Sequence, residues 1–137
     1  MKIFICCSKY LYSKIPPIKD FLEERGHQVT LPNSYEDPMA EEKMKQQGIK
    51  IHAEWKGNMI KLQKEKIMNN EAIIVLNMEK NGGKDYIGGA TFLEMFKAWE
   101  LNKKIFLYGD IPEGILKDEI NAFSPILLKG DLTRIVE

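Results

Sequence analysis

The chain has 137 residues, the size of one domain with one sizeable core, and its 44% hydrophobic and 29% charged residues exclude wholesale disorder. Twenty basic side chains balance twenty acidic ones, which removes the simplest electrostatic case for binding nucleic acid or a membrane surface. No apolar run approaches the ~20 residues of a membrane span, Met1-Lys2-Ile3-Phe4-Ile5 lacks the apolar core of a signal peptide, and a cytoplasmic location is expected.

Lys2–Cys7 is a continuous apolar run, the pattern of a strand buried on both faces. It carries the only two cysteines, Cys6 and Cys7; a disulfide between neighbours is strained, so both read as buried and reduced. Ser8–Ser13 reads as a polar and aromatic loop. Pro16-Pro17 then suits a first helical turn, Ile18, Phe21 and Leu22 recur at helical spacing, and Arg25-Gly26 is a stop signal. Gln28–Leu31 is a short second strand, which completes a βαβ unit.

After the loop Pro32–Pro38, a Lys- and Glu-rich stretch from Met39 to Met68 is punctuated by Gly48 and Gly57. Trp55, Met59, Ile60, Leu62 and Ile67 keep an approximate helical period, which predicts one shorter and one longer helix with a solvated charged face. Ala72–Met78 is the clearest central strand, followed by the Gly-rich loop Glu79–Gly89 and a helix from Ala90 to about Leu101. Lys104–Tyr108 is another buried strand; a turn at Gly109–Gly114, a short helix over Ile115–Asn121 and a last strand at Ile126–Leu128 follow.

Alternating strands and helices predict a single Rossmann-like or flavodoxin-like α/β domain over residues 1–137, with a parallel sheet of about five strands in the order 2-1-3-4-5 and helices on both faces. Ligands of such sheets bind beyond the carboxyl ends of the strands, which here points to the loops Ser8–Ser13, Glu79–Gly89 and Gly109–Glu113. In the second loop, Gly88 and Gly89 allow close backbone approach, and a helix start offers free N–H groups, with Thr91 able to cap or donate. The segment is neither a P-loop nor a G-x-G-x-x-G fingerprint. Glu94, one turn into an otherwise apolar helix, either stabilises the helix start or projects into the cleft as nucleophile, base or ribose-hydroxyl acceptor. His27 and His52 have no second His or Cys at ligand spacing, so no metal and no cofactor is expected.

Gly-Gly-Ala-Thr-Phe-Leu-Glu-Met at 88–95, followed by Asn-Lys-Lys-Ile-Phe-Leu-Tyr at 102–108, resembles the nucleoside 2-deoxyribosyltransferase family and its nucleotide N-glycosidase relatives. Lys-Ile-Phe-Ile-Cys-Cys-Ser at 2–8, with Gly26-His27 before the second strand, is similar to that family's first βαβ unit. The resemblance implies cleavage or transfer at a nucleoside's N-glycosidic bond, with Glu94 as the carboxylate that attacks the anomeric carbon. It also implies that the first loop contacts the base, through Tyr10 and Tyr12, and that the protein is a homodimer or higher oligomer. Ser8, Asn77, Tyr86, Gly88, Gly89 and Thr91 complete the expected substrate-binding set. The sequence departs from the family where an aspartate usually stands on the helix before the central strand: Gln63 or Lys64 occupies that place. Asn77 stands where relatives often offer an acid, and Asp85 is the candidate substitute.

Two functions fit: an N-glycosidase or 2-deoxyribosyltransferase acting on a small nucleoside or nucleotide, and a non-catalytic module binding one. A receiver domain fits poorly, because Cys6-Cys7-Ser8 replaces its acidic pair. Trp55 and Met59 on one helix, with Phe96 and Trp99 on another, are the expected self-association surface.

Overall fold

The computed structural model describes residues 1–137. Five strands, β1 (Lys2–Cys6), β2 (Gln28–Thr30), β3 (Ala72–Val75), β4 (Lys104–Leu107) and β5 (Ile126–Leu127), form one all-parallel sheet in the order 2-1-3-4-5. The helices are α1 (Ile15–Glu24), α2 (Ala40–Gln46), α3 (Ile49–Met68), α4 (Gly89–Glu100) and α5 (Lys117–Ala122). The predicted order holds in full.

Strand side chains alternate between two cores. Ile3, Ile5, Ala72, Ile74 and Phe106 face α1, where Ile15, Ile18 and Leu22 form a stripe at i, i+3 and i+7. Phe4, Cys6, Ile73, Val75, Ile105 and Leu107 face Ile67 of α3, Met95 and Ala98 of α4 and Ile120 of α5. Both faces are covered, which is why the central strands read as unbroken apolar runs rather than alternating ones. The parallel register runs from Ile3–Ala72 to Cys6–Val75 across β1 and β3, and from Ala72–Lys104 to Val75–Leu107 across β3 and β4.

Four local details differ from expectation. Ser8–Ser13 is not irregular: Lys9–Lys14 is a 3₁₀ segment capped by the Ser8 side chain, which accepts from Tyr10 N–H at 3.4 Å. The chain breaks between α2 and α3 at Gly48, whose φ of 110° suits glycine, whereas Gly57 lies inside α3 without interrupting it. Of the apolar residues expected to anchor that long helix, only Ile67 is buried. β3 ends at Val75 because Asn77 turns aside: its Oδ1 accepts from Gly109 N–H at 2.7 Å and its Nδ2 donates to the Asp110 carbonyl at 2.7 Å.

No helix is long and apolar enough to cross a membrane. Cys6 and Cys7 are free thiols, both buried, and they point into opposite cores.

Candidate active site

A cleft of about 310 Å³ opens beyond the carboxyl ends of β1 and β2 and beside the start of α4. That volume sits at the lower end of the roughly 300–1,000 Å³ typical of small-molecule pockets. Eight of the ten residues expected from sequence line it: Ser8, Tyr10 and Tyr12 after β1, then Tyr86, Gly88, Gly89, Thr91 and Glu94 around the start of α4.

Asn77 and Asp85 do not. Asn77 is locked to the β4 exit by the two hydrogen bonds above. Asp85 adopts a positive φ of 53° and accepts from Asp110 N–H at 3.2 Å. It lines a separate, smaller hollow with Ile87 and Glu113. Both hold together the loops that follow β3 and β4, so neither stands beside Glu94.

The far wall comes from the loop after β2 and from α2 and α3, where no substrate contact was expected from sequence. Pro32, Asn33 and Ser34 after β2, Glu41, Glu42 and Lys45 on α2, and Trp55, Lys56, Met59 and Gln63 on α3 all line the cleft. On α3 the spacing 52, 55/56, 59, 63, 66/67 is one helical stripe. Trp55 and Met59, expected from sequence to support self-association, line this cleft.

Glu94 lies one residue deeper in its helix than the expected start at Ala90 implies. With α4 beginning at Gly89 it is the sixth helical residue, on the stripe Thr91, Glu94, Met95 and Ala98 that packs inward. It is only 5% exposed. The helix N-terminus therefore does not govern its charge. Burial pushes its carboxyl up to about 8, partly offset by the adjacent Cys6 thiol and by the Lys66 and Lys56 ammonium groups. Burial in turn lowers the affinity of Lys66 for its proton, although Glu94 opposes this; its ammonium donates to the Leu31 carbonyl at 2.7 Å. Burial and then the Glu94 charge raise Cys7 to about 12, and burial, then Cys7 and Glu94, push the Tyr12 phenol up. Near neutral pH the cleft thus holds a mostly protonated carboxyl beside a neutral thiol and a neutral phenol.

Most wall charges are paired, Lys45 being the exception. Glu41 accepts from Lys56 at 3.1 Å and bonds His52 at 3.0 Å. Burial disfavours the Glu41 carboxylate, yet those two partners outweigh it and hold it below the usual range. Lys9 pairs with Glu42, which ties α2 to the 3₁₀ segment. At the mouth, the Lys80 ammonium sits 4.0 Å from the Tyr10 ring centroid and 4.2 Å from that of Tyr86, bridging two loops by cation–π contact. Gly88 packs closely beneath Tyr86: a Cβ there would lie 3.2 Å from the phenol oxygen, so the Tyr86 ring would have to shift to admit one. No three His, Cys, Asp or Glu side chains converge as metal ligands.

No family model and no curated protein sequence matches the chain. Among solved structures it is similar to a CMP N-glycosidase from Clostridium botulinum, BcmB, with a TM-score of 0.55 and 16% identity, over 94% of this chain and 90% of that one. At that identity the likeness shows the shared fold.

Proposed function

We propose that the protein cleaves the N-glycosidic bond of a nucleoside or nucleoside monophosphate, with Glu94 as nucleophile. The observation that carries this reading is a single buried carboxyl group on the inward stripe of α4, facing a cleft behind Gly88-Gly89. The similarity in fold to a CMP N-glycosidase supports the same class of bond. In this reading a Glu94 oxygen bonds to the anomeric carbon as the bond to the base nitrogen breaks. The departing base keeps the bonding pair and takes up a proton. Water, or a second base in a transferase, then attacks the anomeric carbon and frees Glu94. Tyr10, Tyr12 and Tyr86 offer ring faces and hydroxyls to the base and sugar. The unpaired N–H groups at the start of α4 suit a sugar or phosphate oxygen.

A nucleophile must be ionised, and burial keeps Glu94 mostly protonated at neutral pH. The rate constant at low substrate concentration, kcat/KM, which reports the ionisation of the free enzyme, should therefore rise with pH until about 8 and then level off. A profile that falls across the same range would instead make Glu94 a general acid. Glu94→Gln should lower turnover by roughly three or more orders of magnitude while leaving binding largely intact, measured by base release and by calorimetry. A Gln variant as active as the parent removes Glu94 from the mechanism.

The non-catalytic reading draws on the same raised carboxyl: a neutral Glu94 can donate to a sugar oxygen without reacting. Tight nucleotide binding with no base released at any pH would favour it.

Self-association is proposed through α3 and α4, which pack together and leave Ile60, Leu62, Leu93, Phe96 and Trp99 exposed. Phe96, Trp99 and Phe123 stack with centroids 5.9–6.4 Å apart, so the patch is ordered before any partner arrives. Sedimentation showing only monomer at micromolar concentration would reject this.

A further inference from the structure

Three side-chain oxygens in the molecule are buried with no hydrogen-bond partner: Asn33 Oδ1, Glu42 Oε2 and Gln63 Oε1. All three line the same cleft as Glu94, and they come from three different elements, the loop after β2, α2 and α3. Buried acceptors without donors are uncommon in folded proteins, and their convergence on one wall calls for a common cause. Two of the three orientations are held by a second contact, those of Asn33 and Glu42. Asn33 Nδ2 donates to the Met59 carbonyl at 3.0 Å, which fixes the amide with its oxygen on the other side. Glu42 gives its first oxygen to Lys9, leaving the second free. Of the lysines that line the cleft, Lys9 is engaged by Glu42 and Lys56 by Glu41, while Lys45 is exposed and pairs with no carboxylate.

Resting on the nucleotide reading above, we infer that Asn33, Glu42 and Gln63 form an acceptor wall that selects the ligand by its N–H and O–H donors. A group presenting only acceptors meets three oxygens there and is refused, whereas an amino group or a hydroxyl pair satisfies them. Discrimination of this kind is steep, because an unsatisfied buried acceptor remains whenever the wrong group enters. Two parts of a nucleotide carry such donors: the exocyclic amino group of a base such as cytosine, and the hydroxyls of the sugar. The wall reads one or both.

The test uses full-length protein carrying Glu94→Gln, which prevents turnover, with and without Gln63→Met. Calorimetric titrations with CMP, UMP, 2′-deoxy-CMP and ribose 5-phosphate separate the two donor sources. If the wall reads the base, CMP binds at least tenfold more tightly than UMP, and Gln63→Met removes most of that preference. If it reads the sugar, the preference is for CMP over 2′-deoxy-CMP, or ribose 5-phosphate alone binds, and the same substitution abolishes it. Free cytosine, ribose and glucosamine, which present similar donors outside a nucleotide, complete the set. Binding of one of these but of no nucleotide, with a loss of at least tenfold in Gln63→Met, keeps the wall and rejects the nucleotide reading. Binding that Gln63→Met leaves unchanged overturns the wall, as does a failure of every donor compound to bind. Thermal melting of the unliganded variants confirms that each is folded; Glu42→Gln, which keeps an oxygen at the wall, should bind better than Glu42→Met.

Discussion

The central strands and the α2–α3 wall are built on opposite principles. Ile3, Phe4, Ile5, Ile73, Ile74, Val75, Phe106 and Leu107 have no exposed surface at all. Helix α2 buries no residue, and α3 buries only Ile67 over twenty positions. The sheet is held by apolar area removed from water, a cohesion that involves no charge to screen or titrate. The wall is held by Lys9–Glu42, Lys56–Glu41, His52–Glu41 and the Asn33–Met59 hydrogen bond. Such contacts are individually weak and respond to solution conditions. The cleft lies between the two, so one side is rigid scaffold and the other is adjustable.

The largest expected effect is in the scaffold. Ile74→Ala removes a fully buried side chain from the middle of β3 and should cost about 2–5 kcal/mol in urea unfolding. A cost under about 1 kcal/mol would mean that the sheet relaxes around the loss, and the contrast with the wall would disappear.

Glu94 is the exception inside the scaffold, because it places an ionisable group among apolar ones. Its folded-state value of about 8 lies above the ordinary 4.5, so between those limits the folded protein keeps a proton that the unfolded chain releases. Stability therefore falls as pH rises through this window, and the full penalty is present above about 8. Glu94→Gln should flatten that slope: near pH 5 the two proteins match, and near pH 9 the variant is more stable, by roughly 2–5 kcal/mol at most. A parent protein equally stable at both extremes would show that the carboxyl is hydrated.

In the wall, Glu41→Gln weakens the links to His52 and Lys56. Because these groups are partly exposed, the loss in stability should stay within about 1 kcal/mol at low salt and shrink further in 1 M salt. The effect on ligand affinity should be larger than that on stability, since Glu41 and Lys56 both line the cleft. Equal effects on both would make α2 part of the cooperative core.

The smallest effect concerns Gly57. It is exposed, has an ordinary helical φ, and nothing lies within 4 Å of where its Cβ would be. Gly57→Ala should stabilise α3 by about 0.5–1 kcal/mol, read as a small rise in melting temperature.

Strand order and the βαβ start were legible in the residues, because they depend on local signals, whereas helix physics alone left Glu94 open between the helix start and the cleft. Buried strands are unbroken apolar runs, Gly26 closes α1 with a φ of 87° and hydrogen bonds from Gly26 and His27 back to Glu23 and Leu22, and crossovers allow one hand. Asn77 and Asp85 misled, since their position after β3 is the usual address of a ligand contact. Only the approach of the β4 exit, with free backbone groups at Gly109 and Asp110, decided that they serve a loop instead. The cleft-facing stripe of α3 was equally hidden. A helix face of Trp, Lys, Met and Gln has the composition of a solvated surface, and it became a wall only when β1, α2 and α4 brought other groups opposite it. The charge of Glu94 was decided in the same way: a glutamate near a helix start is expected to be ionised, but desolvation grows with every neighbour packed around it, and those neighbours are distant in sequence. Local pattern determines which elements form and which residues they bury among themselves, while the chemistry of a cleft depends on what faces it from across the fold.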